Sequence, residues 1–294
     1  MFLQLLANGL VTGSVIALAA AGVSIVYGIL RLVNFAYGDY MTFGAFIAVY
    51  FNVTQELPIV TAALLAMGAT ALLSVALEFV LWRPLRGRDA GFMSLFLVSI
   101  GLALVLRHVI YLVAGPQPRT YAVDPYKVYV IGSARLSGAQ GIAIVVAAIG
   151  IVLLGVLMAR TGLGRMMRAL ADDLSLAAVS GVPTGRVILA AWIVSGLLAG
   201  LAGVLAGLVQ TSFNPQLGFT LLLPIFAAVV LGGIGSVYGA LIGGLALGLA
   251  MELSTWPKLH GGVNPTYKPV VAFAALILVL LLRPQGLLGK ARVV

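Results

Sequence analysis

The sequence predicts an all-α integral membrane protein, a polytopic bundle of eight or nine transmembrane helices with short broken helices. Hydrophobic residues make up 62% of the 294 residues and charged residues only 9%, against about 25% charged in a soluble globular domain. Stretches 141–159 and 187–209 carry no charge at all, and each is about the 20 residues that cross a ~30 Å hydrocarbon layer. The dyad alternation of a transmembrane barrel does not recur along the chain. Helices are therefore preferred, because each satisfies its own backbone polar groups in lipid.

The first apolar stretch, 5–29, has no basic run before it and no polar mature domain after it. It reads as a membrane helix, not as a removable leader. Further spans are predicted at 39–52, 59–81, 92–114, 138–159, 187–210, 219–232, 237–254 and 269–282. The second and seventh are short and glycine-interrupted, which leaves the count at eight or nine.

Basic residues orient the spans. One side receives Arg31, Arg83, Arg86, Arg88, Arg160, Arg165, Arg168, Arg186, Arg283, Lys290 and Arg292. The other receives Arg119, Lys127, Arg135, Lys258 and Lys268. The positive-inside rule puts the richer set in the cytoplasm, with the N-terminus periplasmic and the C-terminus cytoplasmic. That arrangement needs nine crossings; eight would require one short segment to re-enter. The same distribution turns the net charge of +9 toward anionic lipid and away from nucleic acid.

Two loops are long. The outer one, Gly115–Ser137, combines Pro116, Pro118 and Pro125 with Tyr121, Tyr126 and Tyr129, a mixture suited to a small cap over a pathway. The inner one, 160–186, mixes small and apolar residues with Arg and Asp over 163–180 and holds no proline there. It suits short helices lying along the membrane, ended by Gly181 and Pro183.

Polar residues at membrane depth are costly and mark candidate function carriers. The run Asn34-Phe35-Ala36-Tyr37-Gly38-Asp39 reads as a helix interruption, either a capped structural turn or a ligand contact. Gln210, Thr211, Ser212, Phe213 and Asn214-Pro215 form a second interruption near the outer face. From these, Asn34, Tyr37, Asp39, Gln210 and Asn214 are the candidate substrate-pathway residues. Glu78 and Glu252 are further acids near span interiors, and Arg107 with His108 sits deep in the fourth span. A buried ion pair is one reading of Arg107, with a partner the sequence does not select.

Gly196, Gly200, Gly203 and Gly207 recur on one face of the 187–210 helix. Small residues there let two backbones approach, within the subunit or along a route or subunit contact. Gly232, Gly233 and Gly235 read as a broken helix or sharp turn. Cysteine is absent, His108 and His260 are isolated, and no nucleophile–base set appears, so neither a metal site nor an enzyme is expected. There is also no phosphate-binding Gly-x-x-x-x-Gly-Lys-Ser/Thr loop, so any use of ATP falls to another subunit.

Four stretches resemble one known family. They are Leu32–Asp39, Gly164–Gly181, Leu231–Ala240 and Arg283–Gly289. In order and spread the chain closely resembles the bacterial branched-chain amino acid ABC transporter permeases of the leucine/isoleucine/valine type, specifically the smaller of the two permeases. The resemblance implies a single ABC-importer transmembrane domain over 1–294 in the inner membrane, working by alternating access. It implies a second unlike permease, two cytoplasmic ATPases that use the ATP, and a periplasmic substrate-binding protein as partners, with no cofactor in this chain. The family's coupling segment maps onto 169–181 within the 160–186 loop. Ala177, Ala178 and Gly181 match its small residues, Leu176 replaces its acidic position, and Arg168 lies just ahead. Urea and short-amide permeases share these motifs, and a secondary transporter acting alone is the alternative from a different class.

Overall fold

The structure is a computed structural model that describes residues 2–88, 90–123, 128–131, 134–256, 264–283 and 285–289. Lys127, Lys258, Lys290 and Arg292 of the charge pattern lie outside the described residues, as do Pro125, Tyr126, His260 and Pro284.

Helix α1 (Phe2–Leu30) is the axis of the bundle. Its centre, Ala17–Ala21, is fully buried, because small side chains let neighbouring backbones close on it. Helix α2 (Tyr37–Val49) runs on into a π-helical turn, Tyr50–Thr54. Helix α3 (Ile59–Leu77), a second π turn (Glu78–Trp82) and α4 (Arg83–Arg86) form one continuous rod. Helix α5 (Phe92–Ala114) follows, then an antiparallel hairpin of β1 (Val128–Ile131) and β2 (Ala134–Ser137). Ser137 caps α6 (Gly138–Arg160) through a reciprocal capping box with Gln140. Two short helices, α7 (Gly162–Asp172) and α8 (Leu174–Val179), make up the predicted inner loop. The chain then passes through α9 (Thr184–Gln210), α10 (Leu217–Gly232), α11 (Val237–Leu253) and α12 (Lys268–Leu282).

Among the described residues six rods are long and apolar enough to cross a membrane: Phe2–Leu30, Ile59–Arg86, Phe92–Ala114, Gly138–Arg160, Thr184–Gln210 and Pro265–Leu282. Helices α10 and α11 are apolar but shorter. Each of the nine predicted spans coincides with a helix, though α2, α10 and α11 are too short to count by length alone. The π turns carry packing roles. Asn52, in the first, donates to the Leu57 carbonyl at 2.9 Å and accepts from the Ala122 amide at 2.7 Å, pinning the loop that follows α5. Trp82, in the second, stacks on Trp192 of α9 at 6.0 Å.

Glycine seams hold the centre. Gly9 and Gly13 of α1 lie against Leu249, Leu245 and Gly248 of α11. A side chain at Gly248 would overlap the Gly13 backbone. Gly248→Leu is expected to destabilise the fold by about 3 kcal/mol or more, since overpacking a closed seam forces both backbones apart. A large fall in the detergent melting temperature of the purified chain checks this; an unchanged melting temperature would refute the seam.

Helices α10 and α11 are two halves of a broken element. Gly233 and Gly235 take φ values of +107° and +85°, which only glycine adopts without strain. Ser236 then caps α11 by accepting from the Gly239 amide at 3.1 Å. The carbonyls left open at the end of α10 are satisfied from the far end of the chain. Leu287 and Leu288 amides donate to Leu231 and Gly232 at 2.8 and 3.0 Å, closing a helix terminus that would otherwise be orphaned.

Candidate functional site

The first sequence interruption meets the start of α10, just beyond the second. Gly38 at the start of α2 and Gly218 at the start of α10 cross in backbone contact. Thr42 Oγ1 accepts from the Gly218 amide at 3.0 Å and donates to the Gly38 carbonyl at 3.2 Å. Asn34 holds the first break as a local turn, its Oδ1 accepting from the Ala36 amide at 3.1 Å. Tyr37 is buried and donates to the Ser195 carbonyl at 3.3 Å. Asn214 shapes the second break by accepting from the Gln216 amide at 3.0 Å. Gln210 and Asn214 are themselves exposed, at the turn that precedes α10 rather than at the crossing.

Asp39 is fully buried, and its partner is Arg107 of α5. Arg107 Nε donates to Oδ1 at 2.9 Å and Nη2 to Oδ2 at 3.1 Å, a bidentate pair. The guanidinium also lies 4.1 Å from the centre of the Phe219 ring. Cation–π contact and two charge-assisted hydrogen bonds together hold an ion pair that lipid alone would not tolerate. Further along the same helices Phe35 packs on Phe226 at 4.9 Å and edge-on to Phe96 at 5.1 Å. The Phe35 amide donates to Ser99 Oγ at 3.2 Å. These rings are half-buried and Phe219 is 51% exposed. The result is an apolar, aromatic face with a salt bridge at its head.

The other acids of the spans are also paired. Arg86 donates to Glu78 at 3.1 Å, and Lys268 Nζ donates to Glu252 at 2.6 Å. His108 Nδ1 lies 2.7 Å from the Leu104 carbonyl within its own helix. Among the described residues no group of His, Cys, Asp and Glu is placed to hold a metal.

The glycine face of α9 turns inward. A Cβ on Gly196 would stand 2.7 Å from Ala71 Cα, and one on Gly200 2.9 Å from Met67 Cα, both on α3. Gly203 abuts the Met41 backbone, and Gly207 faces Tyr121 and Phe213. Those two rings roof the bundle, with the Tyr121 hydroxyl donating to the Ala45 carbonyl at 3.2 Å and Arg119 bridging Phe213 backbone to backbone.

At the opposite end, α7 buries Gly164, Met167 and Leu170 and exposes Arg165 and Arg168. Arg168 donates to the Met158 carbonyl, and Arg31 donates to the Ala171 carbonyl at 3.2 Å. Asp173 caps α8, accepting from the Leu176 amide at 2.9 Å and the Ser175 hydroxyl at 2.6 Å. Those two donors, the hydroxyl first, hold its carboxyl below the usual carboxylate range. A depressed pKa means the cap is complete above the ordinary value and is lost only as pH falls through the lowered one. Amide exchange at Leu176, corrected for intrinsic rate, is accordingly expected to stay flat between about pH 7 and 5. Helix α8 turns Ala177 inward but presents Leu174, Leu176 and Val179, which are 42, 65 and 89% exposed. Ala178 and Gly181 are exposed beside them.

The aromatic face and the partner of Arg107 escape sequence reasoning, because their residues come from separate helices. The one local signal is Phe35, which stands inside the interrupted run 34–39.

Comparison with known proteins matches residues 5–280 to the family described as "Branched-chain amino acid transport system / permease component". The high-affinity branched-chain amino acid transport system permease protein LivH of Escherichia coli (strain K12) is 34% identical, over 99% of this chain and 97% of the relative. BraD of Pseudomonas aeruginosa, with the same description, is 35% identical over the same shares of the two chains. A solved structure, PsaBC from Streptococcus pneumoniae in complex with Fab, aligns with a TM-score of 0.52 at 14% identity, covering 97% of this chain and 93% of that one. That last likeness concerns the fold alone.

Proposed function

This chain belongs to the branched-chain amino acid transport permease family, and from that premise we propose that it is the membrane permease of an ATP-driven importer for branched-chain amino acids. The observation that carries the substrate class is the Asp39–Arg107 pair against Phe219, with the Phe35, Phe96 and Phe226 cluster further along the same helices. An α-amino acid with a branched apolar side chain presents one carboxylate, one ammonium and one hydrocarbon group. The guanidinium matches the first and the rings the third, while Asp39, buried behind it, fixes the guanidinium in place. Asn34 and Tyr37 brace the break that carries Asp39, and Asn214 shapes the turn ahead of α10, which carries Phe219.

The energy comes from partner ATPases that dock on 160–186. An exposed apolar knuckle of Leu174, Leu176 and Val179 on a short helix is the chemistry of a protein contact, not of a hydrated loop. Arg168, Ala177, Ala178 and Gly181 complete that surface. A second unlike permease covers the aromatic face, and a periplasmic binding protein delivers the substrate. The chain then makes nine crossings, with the N-terminus outside. The hydrogen bond from Arg31 to Ala171 and the contact of Gly28 with Gly235 support this reading by gathering the basic ends at one face.

Uptake of leucine into proteoliposomes with the partner permease, ATPases and binding protein is the direct test. Loss of uptake on omitting this chain supports the proposal. Urea uptake without leucine uptake would overturn the substrate, and uptake driven by an ion gradient without ATP would overturn the class. Gly181 has φ +83°, and a side chain there would meet open space, so its role lies in backbone conformation. Gly181→Val is expected to remove most substrate-stimulated ATP turnover, and Gly181→Asn much less, because asparagine tolerates the left-handed region.

A further inference from the structure

The described residues line an open cavity of about 540 Å³ at the end of the bundle that carries the coupling helices. This lies within the range of pockets that hold small molecules. Its walls are the inner end of α1, α7, the α10–α11 turn and the C-terminal residues Leu288 and Gly289. It is separate from the Asp39–Arg107 crossing. Gly22 of α1 faces Tyr37 and Leu198, whereas Ser24 faces the cavity, and two residues along a helix point to opposite sides.

The lining has a mixed character. Ser24 is fully buried, and its hydroxyl has no hydrogen-bond partner among the described residues. Arg31 and Arg168 stand on the wall, and each donates to a backbone carbonyl. A guanidinium has five N–H donors, so both retain capacity toward a ligand. Asp172 adds a carboxylate. Ile25, Met158 and Met167 supply the apolar part, and the capped N-terminus of α11 at Ser236 adds a favourable field for an anion.

We propose that this cavity is a product-side regulatory site that binds a free amino acid with an apolar side chain. The carboxylate lies between Arg31 and Ser24, the ammonium toward Asp172, and the side chain against Met158 and Met167. An amino acid seated there joins α7 to α1 and to the α10–α11 turn. It therefore favours one position of the segment that carries motion between ATPase and bundle, and it lowers ATP turnover by its differential affinity for that position. Accumulated product slows its own import. The inference rests on the amino acid reading of the function given above.

The test uses the assembled transporter in nanodiscs, without binding protein, and measures bound radiolabelled leucine together with ATP turnover. Leucine is expected to bind and to depress turnover. Arg31→Gln and Ser24→Val are each expected to weaken both effects at least fivefold while leaving binding-protein-dependent uptake intact. Arg107→Gln is expected to do the opposite, ending uptake while leucine still depresses turnover, so failure of this site and failure of the transport reading give different results. Leucine binding unchanged in both cavity variants would overturn the proposal, as would loss of uptake along with binding in both, which would make the cavity part of the route. Displacement by inorganic phosphate or by anionic lipid, but not by valine or isoleucine, would assign the cavity to a phosphate group instead and overturn it as well.

Discussion

Arg107→Ala is expected to abolish leucine uptake and to destabilise the folded chain by about 3–5 kcal/mol. Removing one partner of a buried pair leaves an uncompensated charge in a low-dielectric interior, which is the costly half of any buried salt bridge. Here the charge left behind is Asp39, which has no solvent exposure. The loss of stability is read as a lower melting temperature in detergent. To separate support of the fold from contact with substrate, the double variant Asp39→Asn with Arg107→Gln removes both charges together and leaves polar side chains at both positions. It is expected to recover most of the melting temperature and none of the uptake. A double variant that transports leucine normally would show that the pair only fastens α2 to α5.

The second large effect belongs to the opposite end of the molecule. Leu176→Asp combined with Val179→Asp is expected to release the ATPases from the membrane complex. Two carboxylates would be buried in an apolar contact whose central residues each contribute about 2 kcal/mol or more, so binding falls by more than tenfold per position. Co-purification from membranes through an affinity tag on the permease measures it directly. The melting temperature of the chain alone is expected to change little, because both side chains face outward, at 65 and 89% exposure. Retention of the ATPases by this variant would remove α8 from the docking surface.

Much of the architecture was legible in the sequence because the membrane imposes a one-dimensional code. Apolar length, loop charge and the scarcity of acids place the spans, and every long described helix of the bundle falls on a stretch read that way. The breaks were legible too, since Asn34–Asp39 and Gly232–Ser236 join polar or glycine residues to apolar surroundings. What could not be read was what each break meets. Asp39 and Arg107 are 68 positions apart, and several basic residues were available to each acid. Nor could the sequence reveal that Leu287 and Leu288 close the end of α10, because a backbone donor carries no side-chain signature.

The chain's own composition therefore determined that it is a helical membrane protein, where its helices start and break, and which long loop is amphipathic. These follow from local free energies, the transfer of apolar side chains into lipid and the need to satisfy each backbone group nearby. Only the tertiary structure decided the pairing of Asp39 with Arg107, the crossing of Gly38 with Gly218 and the cavity beneath α7. Each depends on helices brought together by close packing of small residues, and such packing is settled by shape in three dimensions, not by the order of residues along one segment.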